Sequence, residues 1–283
     1  MLETEQQAKS ADARVVNTID IGAIVRARAK DKARFIPRFL IKGLERLIHQ
    51  DFINEYLRQN REGVDFCRGV VEYLRVDVEV QGLENLPEDG ETRRYTFVSN
   101  HPLGAIDGVT LGWVIGSRFD GRVKYLVNDL LMNLRGLAPL CVPVNKLGRQ
   151  GHDFTRRVDE AFGGNCHVIM FPAGLCSRRQ PDGSIRDLTW HKGFLKKSIQ
   201  FERDIVPVHF IGYNSPRFYR VASWCKKLHL PNLAMALLPD EMYRSQGKRY
   251  IVKFGKPIPH ATFDRSRSLQ QWAQWVQDRV YEL

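Results

Sequence analysis

The sequence predicts an α/β fold in which a mostly parallel sheet is covered by helices, with a helical N-terminal extension before it. From residue 75 onward, short runs of β-branched and aromatic residues alternate with longer segments of helical periodicity. Before residue 75 only the helical pattern occurs. Strands that alternate with helices form parallel sheets, because the helix makes the crossover between neighbouring strands. We therefore expect a flexible tail at residues 1–16, a basic amphipathic helical region at 17–74 and an α/β domain at 75–283.

The predicted elements of the α/β domain follow one another along the chain. Arg75–Val80 alternates apolar and polar residues as a half-buried strand does, and the later strands are short apolar runs. Further strands are predicted at Tyr95–Ser99, Lys124–Val127, Leu140–Val144, His167–Phe171, Ile205–Ile211, Ala234–Leu238 and Tyr250–Phe254. Helices are predicted at Leu103–Ser117, Leu130–Leu134, Thr155–Phe162, Trp190–Phe201, Pro216–Leu228 and Leu269–Tyr281. A polar loop, with the turn Pro181-Asp-Gly183, joins Gly174 to Asp187.

The composition limits the class of protein. The chain has 283 residues, 43% of them hydrophobic, which suffices for one large domain with an appendage or for two modest domains. A net charge of +11 favours an anionic partner: nucleic acid, a phospholipid surface or an acidic carrier protein. Five dispersed cysteines without a CxxC pair predict reduced thiols in the cytosol. Because no long apolar run and no signal peptide are found, we expect any membrane contact to be peripheral.

Two segments combine cations with apolar side chains. In Ile24–Arg46 eight residues are basic and two are acidic, and apolar residues recur at helical spacing on either side of Pro37. This pattern fits a helix lying on an anionic bilayer, or a helix whose apolar face packs on the main domain. The predicted helix Pro216–Leu228 mixes aromatic and basic residues, which suits a bilayer interface, an acidic carrier protein or an ordinary solvated face.

Four motifs are assigned to strand ends, where α/β folds gather their functional groups. Asn100-His101, with Asp107 six residues after the histidine, is the first, and a histidine near a carboxylate can take a proton from a hydroxyl. The same residue types also serve as turn and capping residues. The other three motifs are Val144-Asn145-Lys146-Leu147-Gly148, Phe171-Pro172-Ala173-Gly174 continuing to Arg178-Arg179, and Ile205-Val-Pro-Val-His209.

In this order, the four motifs resemble those of the glycerolipid acyltransferase superfamily, to which 1-acylglycerol-3-phosphate acyltransferase belongs. The resemblance covers roughly Tyr95 to Val208. It is strongest to a bacterial branch whose first motif reads Asn-His-Pro-Leu-Gly-x-x-Asp and which is associated with the acylation of lyso-aminolipids as well as lysophosphatidate-type acceptors. The resemblance implies a glycerol-3-phosphate acyltransferase-like fold and an enzyme of membrane lipid synthesis.

The resemblance also implies a reaction and a set of residues for it. A fatty acyl group would pass from a thioester of acyl carrier protein or coenzyme A to a lysolipid hydroxyl, with no other cofactor and no metal. His101 would act as general base and Asp107 would orient its imidazole. Backbone amides near Gly104 are candidate donors to the developing oxyanion. The implied substrate-binding residues are Asn100, Gly104, Asn145, Lys146, Phe171, Pro172, Gly174 and Arg178.

The sequence departs from the family pattern at three positions. Five residues, one more than is common, separate His101 from Asp107, which leaves open whether the two side chains meet. Ala173 stands where the family has Glu, and Lys146 where it has Arg. Because those two family residues help bind glycerol phosphate, the exchanges predict a different acceptor head group. The resemblance to the bacterial branch favours that of a lyso-aminolipid.

Several alternatives remain at this level. The acceptor could be lysophosphatidate, or the chain could be a lipid-binding protein without catalysis. Cys176, near two arginines, is a minor candidate for an acyl-accepting thiol. The absence of a helix-turn-helix, zinc-finger or RNP signature argues against nucleic acid, and the absence of Gly-x-Ser-x-Gly argues against a serine hydrolase. We expect a bacterial protein bound peripherally to the cytoplasmic face of the cell membrane.

Overall fold

The computed structural model describes residues 18–29, 36–86, 93–127, 131, 134–143 and 151–283. The chain divides into two compact units, the first ending at Asn60 and the second spanning Arg61–Leu283. The tail predicted at residues 1–16 and most of the helix predicted at Leu130–Leu134 lie outside the described residues.

The described part of the first unit is helical, as its apolar spacing predicts. Its helices are α1 (Ile21–Ala29), α2 (Arg38–Ile48) and α3 (Gln50–Leu57). Pro37 is the N-cap of α2, a position that tolerates proline because the first helical amides need no partner within the helix. His49 adopts a left-handed conformation and separates α2 from α3. No residue of α2 is buried, and the side chain of Phe39 is 71% exposed.

The second unit is built around a seven-stranded sheet. Its strands lie in the order β1, β9, β8, β2, β5, β3, β4, and every neighbouring pair is parallel except β8 with β9. The predicted α/β class with a mostly parallel sheet is therefore confirmed. The strands are β1 (Asp77–Gln81), β2 (Tyr95–Ser99), β3 (Val123–Val127), β4 (Cys141–Pro143), β5 (His167–Met170), β6 (Arg178–Arg179), β7 (Ile185–Arg186), β8 (Asp204–Ile211) and β9 (Arg249–Phe254), of which β6 and β7 form a separate hairpin.

Helices connect and cover these strands. They are α4 (Gly63–Tyr73), α5 (Ile106–Arg118), α6 (Gly151–Gly163), α7 (Gly193–Gln200), α8 (Pro216–Lys227), α9 (Leu238–Tyr243) and α10 (Leu269–Tyr281). Two of them begin as their sequences lead one to expect. Ser215 caps α8 ahead of Pro216, and Ser268 forms a capping box with Gln271 at the start of α10.

Helices α4 and α5 approach each other closely because α5 carries two glycines on the shared face. A Cβ atom at Gly112 would lie 2.9 Å from the sulfur of Cys67, and one at Gly116 would lie 2.4 Å from a methyl group of Val64. Any larger side chain would push α4 away. Helix α4 is thus part of the second unit, which begins ahead of the strand pattern at residue 75.

One predicted strand is wrong. Ala234–Leu238 forms a 3₁₀ helix at Leu233–Leu237 that leads into α9. A short apolar run does not distinguish a buried strand from a buried helix, and alanine, leucine and methionine favour helix. The buried residues Ala234, Leu237 and Leu238 recur at helical spacing. The predicted polar loop Gly174–Asp187 also contains the short hairpin of β6 and β7.

The centre of the sheet positions the functional residues. All five residues of β2 are buried, and β2 is paired in parallel with β5 on one side and β8 on the other. The carboxyl ends of these strands therefore point the same way. Residues that directly follow β2 and β5, including His101 and Phe171, meet at this edge.

Candidate active site

His101 and Asp107 meet directly in spite of the extra residue between them. Nδ1 of His101 lies 3.0 Å from Oδ2 of Asp107, whose side chain is fully buried, while the imidazole keeps 18% of its surface exposed. A carboxylate bonded to Nδ1 favours the tautomer with the proton on Nδ1, which leaves the lone pair on Nε2. An imidazole held in this way can act as a general base, since Asp107 orients the ring and stabilises its charged form.

The loop between β2 and α5 wraps around the Asp107 carboxylate. Oδ2 of Asp107 accepts hydrogen bonds from the backbone N–H groups of Leu103 at 2.9 Å and Gly104 at 3.1 Å. Gly104 has a φ of +80°, a conformation that favours glycine, and this turn accommodates the additional residue. Asp107 lies in the first turn of α5, where the helix dipole favours a negative charge.

The two amides that hold Asp107 are not the oxyanion donors expected near Gly104. The N–H groups of Leu103 and Gly104 both point to the carboxylate, so neither is directed at a reacting carbonyl. A side chain at position 104 would also collide with its surroundings, since a Cβ atom would lie 2.4 Å from the sulfur of Cys176. Gly104 therefore shapes the loop.

Charge and burial act in opposite directions on the pair. Burial lowers the pKa of His101, but the charge and hydrogen bond of Asp107, assisted by the charge of Asp187, outweigh burial and raise this pKa above 6.5. Burial also works against ionised Asp107, yet His101 and the two loop amides lower the pKa of its carboxyl. Asp107 is thus an anion across the neutral range, and His101 keeps its proton to a higher pH than an ordinary imidazole does.

Phe171 and Pro172 lie beside the imidazole of His101. The rings of Phe171 and His101 stack with centroids 4.1 Å apart. Pro172 is buried, and its carbonyl accepts a hydrogen bond from the backbone of His191. Gly174 closes a turn back to Phe171 with a φ of +66°, and no atom lies within 4 Å of where its Cβ would be. Phe171 therefore restricts the imidazole, and Gly174 leaves open space at the turn.

Asn100 is a structural link at this edge of the sheet. Its side-chain amide donates to the carbonyl of Phe210 at 2.9 Å and accepts from the backbone N–H of Phe210 at 2.7 Å. These bonds continue the pairing of β2 with β8 by one position and fix the chain just before His101. Since the residue is buried and its amide is engaged in this way, Asn100 holds the backbone that leads into His101.

Arg178 lies at the side of the site. Its guanidinium donates to the carbonyl of Cys176 at 2.6 Å and stands 5.4 Å from the ring centre of Phe218. The half-buried position and the aromatic contact hold the cation in place. Cys176 is buried, and burial raises the pKa of its thiol to about 12, which argues against the acyl-accepting role considered from sequence.

Asp187 is a buried carboxylate that the sequence did not reveal. It accepts hydrogen bonds from the backbone N–H of His101 at 3.1 Å, the hydroxyl of Ser177 at 2.6 Å and the indole of Trp190 at 2.9 Å. These bonds join the first and third motifs to the segment before α7. Burial raises the pKa of this carboxyl, and the three donors and His101 oppose the effect. A lone aspartate in a polar loop gives no periodic signal.

A second set of contacts comes from the segment after β8. The amide of Asn214 donates to the carbonyl of Pro102 at 3.2 Å, so it ties this segment to the loop between β2 and α5, which we call the catalytic loop after its candidate residues His101 and Asp107. Ser215 pairs with the buried carboxylate of Glu241 through its backbone N–H and its hydroxyl. Asn214 and Glu241 were also missed, because no family motif and no periodicity marks them.

The second and fourth predicted motifs contribute no side chain to the site as described. Asn145 and Lys146 lie outside the described residues. Ile205–His209 lies within β8 instead of beyond its end, because the strand continues to Ile211. His209 packs on Tyr281 with ring centres 5.3 Å apart, and burial lowers its pKa to about 4.

Within the described ranges, no helix is long and apolar enough to cross a bilayer.

Known acyltransferases are similar to nearly the whole chain. The family model described as acyltransferase matches residues 23–283. A protein of Bacteroides thetaiotaomicron named lyso-glycine lipid O-acyltransferase is 54% identical over 268 residues, which cover 94% of this chain and 97% of the relative. A protein of the same name from Phocaeicola vulgatus is 52% identical over 268 residues, which cover 94% of this chain and 95% of the relative.

Among solved structures, the crystal structure of a 1-acyl-sn-glycerophosphate acyltransferase from Thermotoga maritima is similar, with a TM-score of 0.49 and 20% identity over 92% of this chain and 87% of that chain. The sequence relatives and the family match decide the assignment, and they confirm the resemblance seen in the four motifs. The chain belongs to the acyltransferase family, within the glycerolipid acyltransferase superfamily, and is an acyltransferase.

Proposed function

We propose that this acyltransferase moves a fatty acyl group from a thioester to the hydroxyl of a lyso-aminolipid, and that His101 is its general base. The observation that carries the catalytic part is the 3.0 Å contact of the His101 imidazole with the buried Asp107 carboxylate. The relatives named lyso-glycine lipid O-acyltransferase, at 54% and 52% identity over 94% of this chain, support the acceptor class.

The reaction needs no covalent enzyme intermediate. Nε2 of His101 takes the proton of the acceptor hydroxyl while its oxygen attacks the thioester carbonyl. The tetrahedral intermediate then collapses, the carbon–sulfur bond breaks, and the imidazolium returns its proton to the leaving thiolate. Asp107 stabilises the imidazolium during these steps. The high pKa of the buried Cys176 thiol is consistent with a direct transfer.

The side chains at two family positions support an acceptor without glycerol phosphate. Ala173 replaces the family's Glu, and here it is buried in an apolar cluster with Trp190 and Phe194. Lys146 replaces an Arg, and a lysine cannot make the planar two-pronged contact that an arginine makes with phosphate. Lysophosphatidate is the second candidate acceptor, favoured by Arg178, whose guanidinium is held beside the catalytic loop.

The donor is a thioester of acyl carrier protein or coenzyme A, since both are acidic and the chain carries a net charge of +11. The same charge supports peripheral contact with an anionic membrane. Helix α2 supports it further, because it has no buried residue and exposes Phe39 and Leu40 beside basic residues. We place the protein on the cytoplasmic face of a bacterial cell membrane.

Acyl transfer to two acceptors tests the proposal. Purified protein is given a lyso-glycine lipid or lysophosphatidate with one acyl donor, and the measurement is repeated with the other donor. We expect a higher kcat/KM for the lyso-glycine lipid. Use of lysophosphatidate alone would replace the proposed acceptor with the second candidate.

Two neighbouring arginines provide a matched pair for the phosphate question. Arg178→Gln removes the half-buried cation beside the site, whereas Arg179→Gln removes an exposed one. If a substrate phosphate is bound here, Arg178→Gln raises KM for the substrate that carries it and Arg179→Gln does not. Equal effects of the two variants would show that only the general positive field matters.

A further inference from the structure

Exposed apolar side chains are concentrated in one short segment of the second unit. The end of α8 and the residues after it, positions 224–235, expose five large apolar side chains, and we call them together with the lysines between them the Trp224 surface. Trp224 is 64% exposed and Leu228 is 63% exposed. The other three are Leu230, Leu233 and Met235. Exposed large apolar side chains that occur so close together along one segment are typical of an interaction site.

The charged residues of the segment that carries this surface have a single sign. Between Tyr213 and Pro239 the chain contains no aspartate or glutamate. Lys226 and Lys227 lie within the surface and are exposed, and Arg220 precedes Trp224 by one helical turn. On α8, positions 220, 224, 227 and 228 share one face. The opposite face, with Phe218, Ala222 and Cys225, is buried, so the exposed face has no partner in the described structure.

Both ends of this segment contact the catalytic loop. Before α8, Asn214 donates to the carbonyl of Pro102. After the surface, the side chain of Leu238 packs against Gly104. A Cβ atom added to Gly104 would lie 2.9 Å from a methyl group of Leu238. Within α8, Phe218 supports the guanidinium of Arg178. The segment that carries the Trp224 surface is therefore anchored to the loop between β2 and α5 at both of its ends, so the orientation of the surface is fixed relative to that loop.

We propose that the Trp224 surface docks on an anionic lipid bilayer and inserts its apolar side chains at the interface, which presents the catalytic loop to acceptor lipid in the membrane. The proposal rests on the proposed function, because a lysolipid acceptor resides in that bilayer. Tryptophan favours the headgroup level, leucine and methionine enter the acyl region, and lysines meet anionic headgroups.

The apolar residues favour a bilayer over an acidic carrier protein. Contacts with an acidic protein depend mainly on complementary charge, for which Lys226, Lys227 and Arg220 would suffice. Five exposed large apolar side chains on one segment are not needed for such a contact. They are needed for insertion into a membrane interface, where burial of apolar area adds to the electrostatic attraction.

Tryptophan fluorescence tests the position of the surface directly. Vesicles of brominated phosphatidylcholine and phosphatidylglycerol quench an indole that enters the bilayer. Of the five tryptophans, Trp224 is the highly exposed one, whereas Trp190 and Trp272 are buried. We expect quenching in the wild type and its loss in Trp224→Phe. Equal quenching in both proteins, or none in the wild type while it sediments with vesicles, would overturn the proposal.

Vesicle binding by surface variants provides the second measurement. A triple variant, Leu228→Ser, Leu230→Ser and Leu233→Ser, is expected to bind anionic vesicles about tenfold more weakly. A double variant, Lys226→Gln and Lys227→Gln, is expected to lose about fivefold for each charge. The matched control, Lys256→Gln with Arg265→Gln, removes two exposed cations outside the surface and should have a clearly smaller effect. All replaced side chains are exposed, so the fold should persist.

The outcomes separate the surface from the chemistry. His101→Ala should bind vesicles like the wild type, because docking does not need the base. The surface variants should lose activity on acceptor in vesicles and keep it on acceptor dispersed below its micelle concentration. If they lost binding to acyl carrier protein and kept vesicle binding, the surface would be a carrier-protein site and the proposal would fail. A failed acceptor assay would leave the vesicle measurements fully interpretable.

Discussion

The imidazole of His101 lies under the influence of two carboxylates that act on it differently. Asp107 bonds to the ring at Nδ1, and Asp187 accepts the backbone N–H of the same residue. The charges of both raise the pKa of His101 against the effect of burial. The stack on Phe171 fixes the plane of the ring. The imidazole of His101 is therefore tuned by charge and oriented by packing.

The pH dependence of acyl transfer should report this tuning. As the proposed base, His101 acts only when neutral, so kcat/KM should rise with pH through a pKa above 6.5. Asp107→Asn removes the charge that raises this pKa, so the acid limb of the pH profile should move to lower pH. The maximal rate should fall on the order of 10²-fold. Asp204→Asn is the matched control, since Asp204 pairs with His260 at 3.1 Å. An unmoved limb in Asp107→Asn would contradict the assignment.

Asp187 should affect His101 through a hydrogen bond to its backbone and through its negative charge. Asp187→Asn places an amide where three donors converge, so one of them loses its acceptor at a cost of about 1–3 kcal/mol in the free energy of unfolding. The acid limb should move to lower pH, because a negative charge near His101 is gone. Asp240→Asn, which removes a buried carboxylate paired with Arg217 and Arg244, should destabilise the fold and leave the limb in place. Identical pH profiles of Asp187→Asn and the wild type would limit Asp187 to a structural role.

At the scale of elements, the connection between β2 and α5 builds the site. Its amides at Leu103 and Gly104 enclose the Asp107 carboxylate, and its glycine turn brings that carboxylate back to His101. Cys176 and Leu238 pack against the turn from two other segments. The loop is therefore held from within by hydrogen bonds and from outside by packing.

Two glycines with positive φ allow strain to be separated from crowding. An alanine at position 174 must adopt a left-handed conformation, but its Cβ has no atom within 4 Å. Gly174→Ala should therefore lower the free energy of unfolding by about 1–2 kcal/mol through backbone strain alone. Gly104→Ala adds overlap with Cys176, which costs about 1–3 kcal/mol more, and it displaces Asp107, so activity should fall. Urea unfolding measures the difference, and Cys176→Ala should restore part of it. Equal destabilisation by the two alanines would rule out the crowding.

The sequence predicted elements well where the chain is strongly patterned. Tyr95–Ser99 and Leu269–Tyr281 have the predicted bounds, since the first is a short run of strand-forming residues and the second an amphipathic helix with a serine cap. The strand predicted at Ala234–Leu238 was wrong because an unbroken apolar run shows neither the helix nor the strand period, and the exposed Met235 gives no polar signal. For the site, too, only residues that belong to a local pattern could be predicted. The motif identified His101 and Asp107, whereas Asp187 comes from another part of the chain.

In the second unit, opposite ends of the sheet have different tasks. The carboxyl ends of β2 and β5 lead to His101 and Phe171, and the amino ends are held by Arg203. This arginine is fully buried and donates to backbone carbonyls of Tyr95, Ala161, Phe162, Gly164 and Cys166. Burial lowers its pKa to about 10, so it remains a cation at neutral pH. The sequence offers no sign of this role, since basic residues are numerous throughout.

Replacement of Arg203 should affect stability far more than catalysis. Arg203→Met removes a buried guanidinium that donates to the carbonyls of Phe162, Cys166 and Gly164, and it should lower the free energy of unfolding by about 3–5 kcal/mol. Arg279→Met removes an exposed ion pair with Glu282 and should cost less than about 1 kcal/mol. Denaturant unfolding gives both values. At a temperature where Arg203→Met is folded, its KM should match the wild type, and a strongly altered KM would contradict the separation of tasks.

The account as a whole depends on the base, and acyl transfer by purified His101→Ala tests it most directly. His260→Ala, which removes the histidine of the other His–Asp pair, is the control. Circular dichroism establishes that both variants are folded, and product formation from a lyso-glycine lipid gives the rates. We predict that His101→Ala falls on the order of 10²–10⁴-fold while His260→Ala keeps nearly the full rate. A folded His101→Ala protein that transfers acyl groups at the wild-type rate would contradict the central claim.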